Sequence, residues 1–216
     1  MDATLRKFGV DNPDTYWQQR KTENRVSERR LHRFLSDLVD EIAPENSMKV
    51  LDCGMGSGHV FRLCMKKHQM YGIEVSSEAI AMYDFATDNI KQADLNNGIP
   101  DFGVKFDIII ASMVLHWLDD PIRFLCQAKI RLTERGHLLV VIPNITFYRY
   151  RIGYLFGKFP PISLSHKNLH VPSEIEQTFR KAGFSIERRL TPRKSIRARL
   201  LPTLFSTDIV YVLKPV

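Results

Sequence analysis

The sequence predicts an α/β protein built on a doubly wound, mostly parallel sheet of seven strands, with helices on both faces. Short apolar runs alternate with segments of helical periodicity along most of the chain, a pattern typical of parallel strands joined by helices. The run KFDIIIAS is apolar on both faces, as the central strand of a parallel sheet requires. A length of 216 residues, 44% of them hydrophobic, suits one domain with a sizeable core.

The elements follow from these patterns in order. The segment RVSERRLHRFLSDLVDEI repeats apolar residues every three or four positions, which predicts an amphipathic helix that ends at Pro44. The seven predicted strands are MKVLDC, MYGIEV, NIKQAD, KFDIIIAS, GHLLVVIP, SIERRL and TDIVYVLK. The predicted connecting helices are HVFRLCMKK, SSEAIAMYDFA, DDPIRFLCQAKIRL and SEIEQTFRKAGF. No helix is predicted between the last two strands, so we expect them to pair as an antiparallel edge of the sheet.

The segment VLDCGMGSGHV places Gly54, Gly56 and Gly58 directly after the first strand and before a helix. Open α/β sheets bind ligands at the carboxyl ends of their strands, and glycines there let the backbone turn tightly beside a ligand. The spacing is G-x-G-x-G rather than the G-x-G-x-x-G of pyrophosphate-binding loops, and Asp52 precedes it. A carboxylate would repel a phosphate, but it would favour a ligand that carries an ammonium group.

Polar residues also follow the neighbouring strands. Glu74 ends the second strand, where a carboxylate can accept hydrogen bonds from both hydroxyls of a ribose. Asp94 ends the third strand, where it could accept from the exocyclic amine of an adenine. Ser112 and Met113 follow the fourth strand and would line the same crevice. The set suits a nucleoside joined to an amino acid, which is the structure of S-adenosylmethionine.

These motifs, in this order, resemble those of class I S-adenosylmethionine-dependent methyltransferases, whose fold is Rossmann-like. The resemblance covers roughly residues 48–143 and implies S-adenosylmethionine as the cofactor and S-adenosylhomocysteine as its product. It implies that Asp52 anchors the cofactor's amino group, that Glu74 holds the ribose and that Asp94 reads the adenine edge. The segment TYWQQR resembles the part that closes over the cofactor in many members. The full set of implied cofactor-binding residues is Trp17, Arg20, Asp52, Cys53, Gly54, Gly56, Glu74, Val75, Asp94, Leu95, Ser112 and Met113.

A narrower resemblance is to the MetW family. The segments QADLNNGIPDF, FDIIIASMVLHWLDDP and VIPNITFYRYRIGYLFGKFP are similar to that family, whereas Cys53 and Met55 stand where it usually has leucine and cysteine. This resemblance implies an alternative function, that of a cofactor-binding partner protein of a methionine-biosynthesis acyltransferase. A third hypothesis is a methyltransferase that acts on a quinone or lipid at a membrane surface.

His116 and His170 are the candidates for catalysis. His116 follows the fourth strand and could act as a general base, although it could equally pack in the wall of the cleft. His166 and His170 lie before the last predicted helix, in a segment that can face the acceptor in this fold. No carboxylate lies near these two histidines in sequence, so a metal site is not predicted.

The positive charge is concentrated in two spans. The net charge is +7, and no Asp or Glu occurs over residues 135–173 or 188–207. Such a field attracts anionic partners, and a solvated basic face is the alternative. The segment ITFYRYRIGYLFGKF holds six aromatic residues that end at Phe159, and among them stand Arg149, Arg151 and Lys158.

That basic, aromatic segment could be a helix packed on the domain, a lid over the acceptor, a membrane-surface helix or a protein-docking face. It predicts a small-molecule acceptor that is anionic or amphipathic, with Arg149 and His170 as contacts. A nucleic-acid partner is not predicted, because no recognised RNA-binding module is present.

The domain organisation follows. We expect one methyltransferase domain over residues 1–216, beginning with a helical segment over the cofactor site (1–45). The cofactor-binding core (46–143), an acceptor-side insertion (144–171) and a C-terminal helix with strands (172–216) come next.

Composition predicts the compartment. No apolar run reaches about 18 residues, so no transmembrane helix is predicted, and the N-terminus lacks the pattern of a signal peptide. The three cysteines, Cys53, Cys64 and Cys126, fit neither a disulfide framework nor a metal site. A cytoplasmic protein with unpaired thiols is expected.

Overall fold

A computed structural model of the protein describes residues 13–45, 47–83, 88–158, 168 and 170–216. Phe159 and His166, which the sequence analysis considered, lie outside these ranges. Among the residues described, no helix combines the length and the apolar composition needed to cross a membrane.

The seven-stranded sheet that the sequence predicts is confirmed. The strands are β1 (Lys49–Cys53), β2 (Gln69–Glu74), β3 (Ile90–Gln92), β4 (Phe106–Ser112), β5 (Leu132–Pro143), β6 (Phe184–Leu190) and β7 (Asp208–Pro215). Their order across the sheet is β3-β2-β1-β4-β5-β7-β6. The first five are parallel, and β7 pairs antiparallel with both β5 and β6. The last strand therefore lies inside the sheet, and β6 forms its edge.

Nine helices are present in the described part of the chain. They are α1 (Pro13–Thr22), α2 (Arg30–Ile42), α3 (His59–Cys64), α4 (Ser77–Ile80), α5 (Pro121–Arg131), α6 (Tyr148–Leu155), α7 (Pro172–Lys181), α8 (Ile196–Leu200) and α9 (Pro202–Phe205). A short 3-10 turn spans Leu115–Trp117. The prediction of no helix between the last two strands was wrong, because α8 and α9 lie there. These helices have five and four residues, too few for an apolar period to show in the sequence.

The core has one layer on each face of the sheet. In β4, Ile108 and Ile110 belong to the layer that packs with α2 and α3, whereas Ile109 belongs to the layer with α5 and α7. Both layers are apolar because parallel strands are covered by helices on both sides. The run KFDIIIAS therefore lies where the sequence predicted it, in the interior of the sheet.

Asn144 fixes the loop beyond β5. Its side chain is fully buried, and Nδ2 donates to the carbonyl oxygens of Thr203 (2.8 Å) and Ser206 (2.6 Å). Its Oδ1 accepts from the backbone N–H and the hydroxyl of Thr146. One amide thus ties the end of β5 to the turn before β7, which brings Asp208 to the carboxyl end of the sheet.

Asn144→Asp should lower the free energy of unfolding by at least about 2 kcal/mol, because a buried carboxylate would face carbonyl oxygens that lose their donor. Urea denaturation followed by circular dichroism measures this change. Asn97→Asp, at an exposed position, is the matched control and should change stability little. Equal losses in the two variants would contradict the structural role of Asn144.

Candidate functional site

A cavity of about 970 Å³ opens at the carboxyl ends of the parallel strands and beneath α1. It brings together most of the residues that the sequence predicted for the site. These are Trp17, Arg20, Asp52, Gly54, Gly56, Glu74, Val75, Asp94, Leu95, Ser112, Met113 and His116. Cys53 and His170 are not among the lining residues. The Cys53 side chain points into the core and is fully buried.

The loop after β1 requires glycine for two reasons. Gly54 and Gly56 have φ angles of +68° and +56°, which residues with a Cβ rarely adopt. A Cβ on Gly54 would lie 2.6 Å from the Val114 side chain, and one on Gly56 would lie 2.8 Å from the Trp17 ring. The bare backbone therefore lets α1 approach the loop closely.

Glu74 holds this loop to the end of β2. Its carboxylate accepts hydrogen bonds from the backbone N–H groups of Gly56 (2.7 Å), Val75 (3.0 Å) and Ser76 (3.0 Å). Burial raises the pKa of Glu74, and these three backbone hydrogen bonds oppose the shift. The sequence predicted Glu74 only as an acceptor for a ribose, whereas the structure shows a buried carboxylate that also organises the glycine loop.

Asp52 is a buried carboxylate that accepts no side-chain hydrogen bond within the described ranges. Only 2% of the residue is exposed, although it lines the cavity. Burial raises the pKa of Asp52 to about 7, and the nearby Glu74 carboxylate adds to the shift. A cation beside Asp52 would stabilise its ionised form, so the position suits a ligand ammonium group.

Helix α1 covers the loop, although none of its residues is buried. Trp17 lies against Gly56. The carboxylate of Asp14 accepts from the Ser76 hydroxyl (2.6 Å) and from the backbone N–H of Glu78 (3.2 Å). The Ser76 hydrogen bond contributes most to the lowered pKa of Asp14. These contacts join α1 to the N-terminus of α4 at one rim of the cavity.

Arg20 crosses from α1 toward the next segment. Its guanidinium donates to the Tyr16 hydroxyl (3.1 Å) and to the carbonyl oxygen of Arg25 (2.9 Å). It also lies 5.8 Å from the centre of the Trp17 ring. These contacts hold a positive charge at the cavity wall.

Residues that follow β2, β3 and β4 also line the cavity. Asp94 is exposed and accepts from the backbone N–H of Asn96 (2.9 Å), which closes the turn after β3. Val75 is half-exposed at the cavity. Met113 has a φ of +58°, a conformation that costs a non-glycine residue energy and often occurs at functional sites.

The two catalytic candidates are placed differently. His116 lines the cavity in the 3-10 turn, is only 3% exposed, and its ring lies 5.6 Å from that of Trp117. The ring Nε2 of His170 is buried without a hydrogen-bond partner in the described residues, and His170 does not line the cavity. Within the described part of the chain, no group of three potential metal ligands occurs.

Sequence analysis missed a basic wall of the cavity. Arg25, Arg29, Arg30 and Arg193 line it. The guanidinium groups of Arg29 and Arg30 make no hydrogen bond or ion pair with the residues that the structure describes. The runs NRVSERRLHR and PRKSIRARL contain these arginines, but the sequence did not show that they meet at the cavity.

Two histidines and one acid lie among these arginines. The rings of His32 and His59 stack with 4.9 Å between their centres. Burial lowers the pKa of His32 to about 4 and lowers that of His59, so both are neutral at pH 7. Asp208 begins β7 and lines the cavity. Burial raises its pKa, while Arg193 and Arg29 are close enough to oppose that shift.

Arg149 lies outside this wall. It is exposed and donates to the Tyr148 hydroxyl, and it is not a lining residue of the cavity. The arginines of the basic wall therefore come from residues 25–30, at and before the start of α2, and from the β6–β7 connection, rather than from α6.

Comparisons with known proteins show where this arrangement recurs. The family model described as "Methyltransferase domain" matches residues 27–188. Among solved structures, an S-adenosylmethionine-dependent methyltransferase from Clostridium acetobutylicum superposes with a TM-score of 0.65 at 13% identity, covering 91% of this chain and 95% of that one. An identity this low supports a shared fold alone.

Two curated relatives match about half of the chain. One is malonyl-[acyl-carrier protein] O-methyltransferase of Halalkalibacterium halodurans, 28% identical over 54% of this chain and 47% of the relative. The other is the bifunctional methionine biosynthesis protein MetXA/MetW of Rhodopirellula baltica, 26% identical over 56% of this chain and 20% of the relative. The chain thus spans less than half the length of the curated relatives it matches.

The raised pKa of Asp52 predicts a pH-dependent cost in stability. With a pKa of about 7 in the folded state against 3.8 ordinarily, the folded protein binds this proton more tightly, so stability falls as pH rises between those values. Asp52→Asn should therefore raise the free energy of unfolding, and by about 2–3 kcal/mol more at pH 8 than at pH 5.

Denaturant unfolding of both proteins at the two pH values measures the difference. Asp37→Asn, an exposed acid on α2, is the matched control and should show no such gain. A gain from Asp52→Asn that is the same at both pH values would contradict a buried, ionising carboxylate.

Proposed function

This chain belongs to the class I S-adenosylmethionine-dependent methyltransferases, and we propose that it transfers a methyl group from S-adenosylmethionine to a small anionic or amphipathic acceptor. The observation that carries the proposal is the Asp52 carboxylate, buried at a cavity wall without a hydrogen-bond donor among the described residues. A buried carboxylate that accepts no hydrogen bond is stabilised by a cation or a proton beside it. The amino group of the cofactor supplies such a cation.

The other residues on that wall fit the rest of the cofactor. Glu74 uses its carboxylate to accept three backbone hydrogen bonds and retains acceptor capacity for a ribose hydroxyl. Val75 offers an apolar surface for the adenine, with Asp94 and Leu95 at its edge. Arg20 is the candidate for the cofactor carboxylate, and Trp17 would keep water from the loop.

S-Adenosylmethionine supplies a methyl group on a sulfonium sulfur, which is already a good leaving group. The chain's contribution is then chiefly to hold the acceptor atom in line with that methyl group. A carboxylate acceptor needs no base. For an acceptor that must lose a proton, His116 is the candidate base on the cavity wall.

The basic wall supports an anionic acceptor. Arg29 and Arg30 line the cavity, and in the described residues their guanidinium groups form no hydrogen bond or ion pair with a carboxylate; Arg193 also lines it, and the charges of Arg29 and Arg193 both act on Asp208. Guanidinium groups in such a position bind carboxylate or phosphate through charge-assisted hydrogen bonds. The name of one relative, an O-methyltransferase of a malonyl group, agrees with an acceptor that carries a carboxylate. His170, which does not line the cavity, has no geometric support as an acceptor contact.

A partner role is the second candidate. The similarity to a bifunctional MetXA/MetW protein favours a chain that binds the cofactor and acts with an acyltransferase. Co-purification of tagged chain from its native cell, with and without added cofactor, tests this. A stable complex with an acyltransferase and no methyl transfer would favour this role over the enzyme.

Cofactor binding should strengthen as pH rises from about 5.5 to 7, because Asp52, with a pKa of about 7, must lose its proton to receive an ammonium group. The affinity should change by up to about tenfold per pH unit below that pKa. The cofactor's own α-amino group stays protonated over this range. Titration calorimetry in two buffers of different ionisation enthalpy would also show release of a proton on binding.

The variants make this test specific. Asp52→Asn should bind weakly and without pH dependence, whereas Asp37→Asn should behave as the parent does. A parent affinity that is unchanged across this pH range would refute the role proposed for Asp52.

Arg29→Ala should raise KM for an anionic acceptor by about tenfold or more, the equivalent of about 1.4 kcal/mol, while the affinity for S-adenosylmethionine stays nearly unchanged. Labelled S-adenosylmethionine with a panel of carboxylate acceptors, malonyl-coenzyme A among them, provides the assay. Arg149→Ala, outside the cavity, is the matched control. A larger effect from Arg149→Ala than from Arg29→Ala would move the acceptor site to α6.

A further inference from the structure

Two short helices present apolar faces to solvent. On α6 and the residue after it, Ile152, Leu155 and Phe156 are 51%, 84% and 74% exposed. They stand at positions i, i+3 and i+4, which share one side of a helix. On α8, Ile196 and Leu200 stand at i and i+4 and are 72% and 75% exposed. Large aliphatic and aromatic side chains this exposed, and grouped, indicate a surface that contacts something other than water.

The two helices belong to neighbouring segments. The ring of Tyr148 in α6 lies 5.6 Å from that of Phe205 in α9, which directly follows α8. The Arg193 guanidinium lies 5.2 Å from the ring of Phe147. We call the combined surface, residues 148–158 and 193–201, the basic-apolar face.

This face carries positive charge only. Its cations, all exposed, are Arg149, Arg151, Lys158, Arg193, Lys194, Arg197 and Arg199. Neither segment contains an Asp or Glu. The cations flank the apolar side chains on both helices. A matching partner therefore offers both an apolar surface and negative charge.

The combination of exposed apolar side chains and positive charge favours one class of partner over the others. A second copy of the chain would bring two sets of like charges together, which is unfavourable. A nucleic acid would match the charge, but it offers little to aliphatic side chains such as Leu155 and Leu200. An anionic bilayer offers both an apolar layer for the aliphatic side chains and negative headgroups for the arginines and lysines.

We propose that the basic-apolar face docks the protein on anionic lipid membranes, with Leu155, Phe156, Ile196 and Leu200 entering the interface and the surrounding cations on the headgroups. Tyr150 and Arg193, which also line the large cavity, lie at the border of this face. The docked protein would hold its cavity mouth beside the bilayer. Docking does not depend on methyl transfer and can be tested without an acceptor.

Flotation with lipid vesicles tests the proposal on the full chain. The parent should float with vesicles of phosphatidylcholine and phosphatidylglycerol, and about tenfold less with pure phosphatidylcholine. The double variant Leu155→Ser, Leu200→Ser should lose about tenfold in affinity for the anionic vesicles. Ile130→Ser, which changes a 69% exposed residue of α5, is the matched control and should bind as the parent does.

A charge pair separates the two contributions. The double variant Arg197→Gln, Arg199→Gln should bind anionic vesicles more weakly, and its binding should depend less on salt. The control double variant, Arg180→Gln with Lys181→Gln, changes two exposed cations of α7 and should bind as the parent does. The affinity for S-adenosylmethionine should be the same in all of these variants, which would show that they fold.

Three results would overturn the proposal. The first is no flotation with anionic vesicles, or flotation that the serine variants leave unchanged. The second is a concentration-dependent dimer that Leu155→Ser and Leu200→Ser abolish, which would assign the face to self-association. The third is tighter binding to a mixed-sequence RNA than to vesicles, unaffected by the serine variants.

Discussion

The Glu74 carboxylate and the backbone amides around it are the interaction on which the candidate site depends. It joins the glycine loop after β1 to the end of β2 through Gly56, Val75 and Ser76. Because the loop is fixed there, Trp17 can pack on Gly56, and Asp52 stays at the cavity wall. A buried acid is costly unless hydrogen bonds compensate it, and here three backbone donors do so.

The cavity is divided by charge. Asp52 and Glu74 lie at the strand ends, whereas Arg29 and Arg193 line the cavity from the segment before α2 and from the β6–β7 connection. Asp52 is left without a donor in the described residues, and its raised pKa is the sign of that cost. Proteins commonly give up stability in this way where a ligand must later supply the missing interaction. The stacked His32–His59 pair lines the same cavity, and burial lowers the pKa of both rings.

The sequence predicted the features that depend on residues close together in the chain. The seven strands and the glycine loop followed from local periodicity and from the conformations that only glycine adopts easily, as at Gly54. It did not predict α8 and α9, which are too short to show a period. It also assigned the acceptor side to Arg149, because the acid-free span around α6 is the more conspicuous one in the chain. Both segments have an environment that is set by distant residues.

The sequence by itself determined the α/β fold and the meeting of Asp52, Glu74 and Asp94 at the cavity, because each lies at or just beyond the end of a strand, and the ends of parallel strands necessarily meet at one edge. Only the tertiary structure decided the basic wall. Arg29, Arg193 and Asp208 come from segments far apart in the chain, and they meet because β7 inserts between β5 and β6 and because Asn144 ties the residues before β7 to the end of β5. A side-chain amide that bridges residues about 60 apart leaves no periodic trace in a sequence, since its partners are backbone carbonyls that any residue could provide.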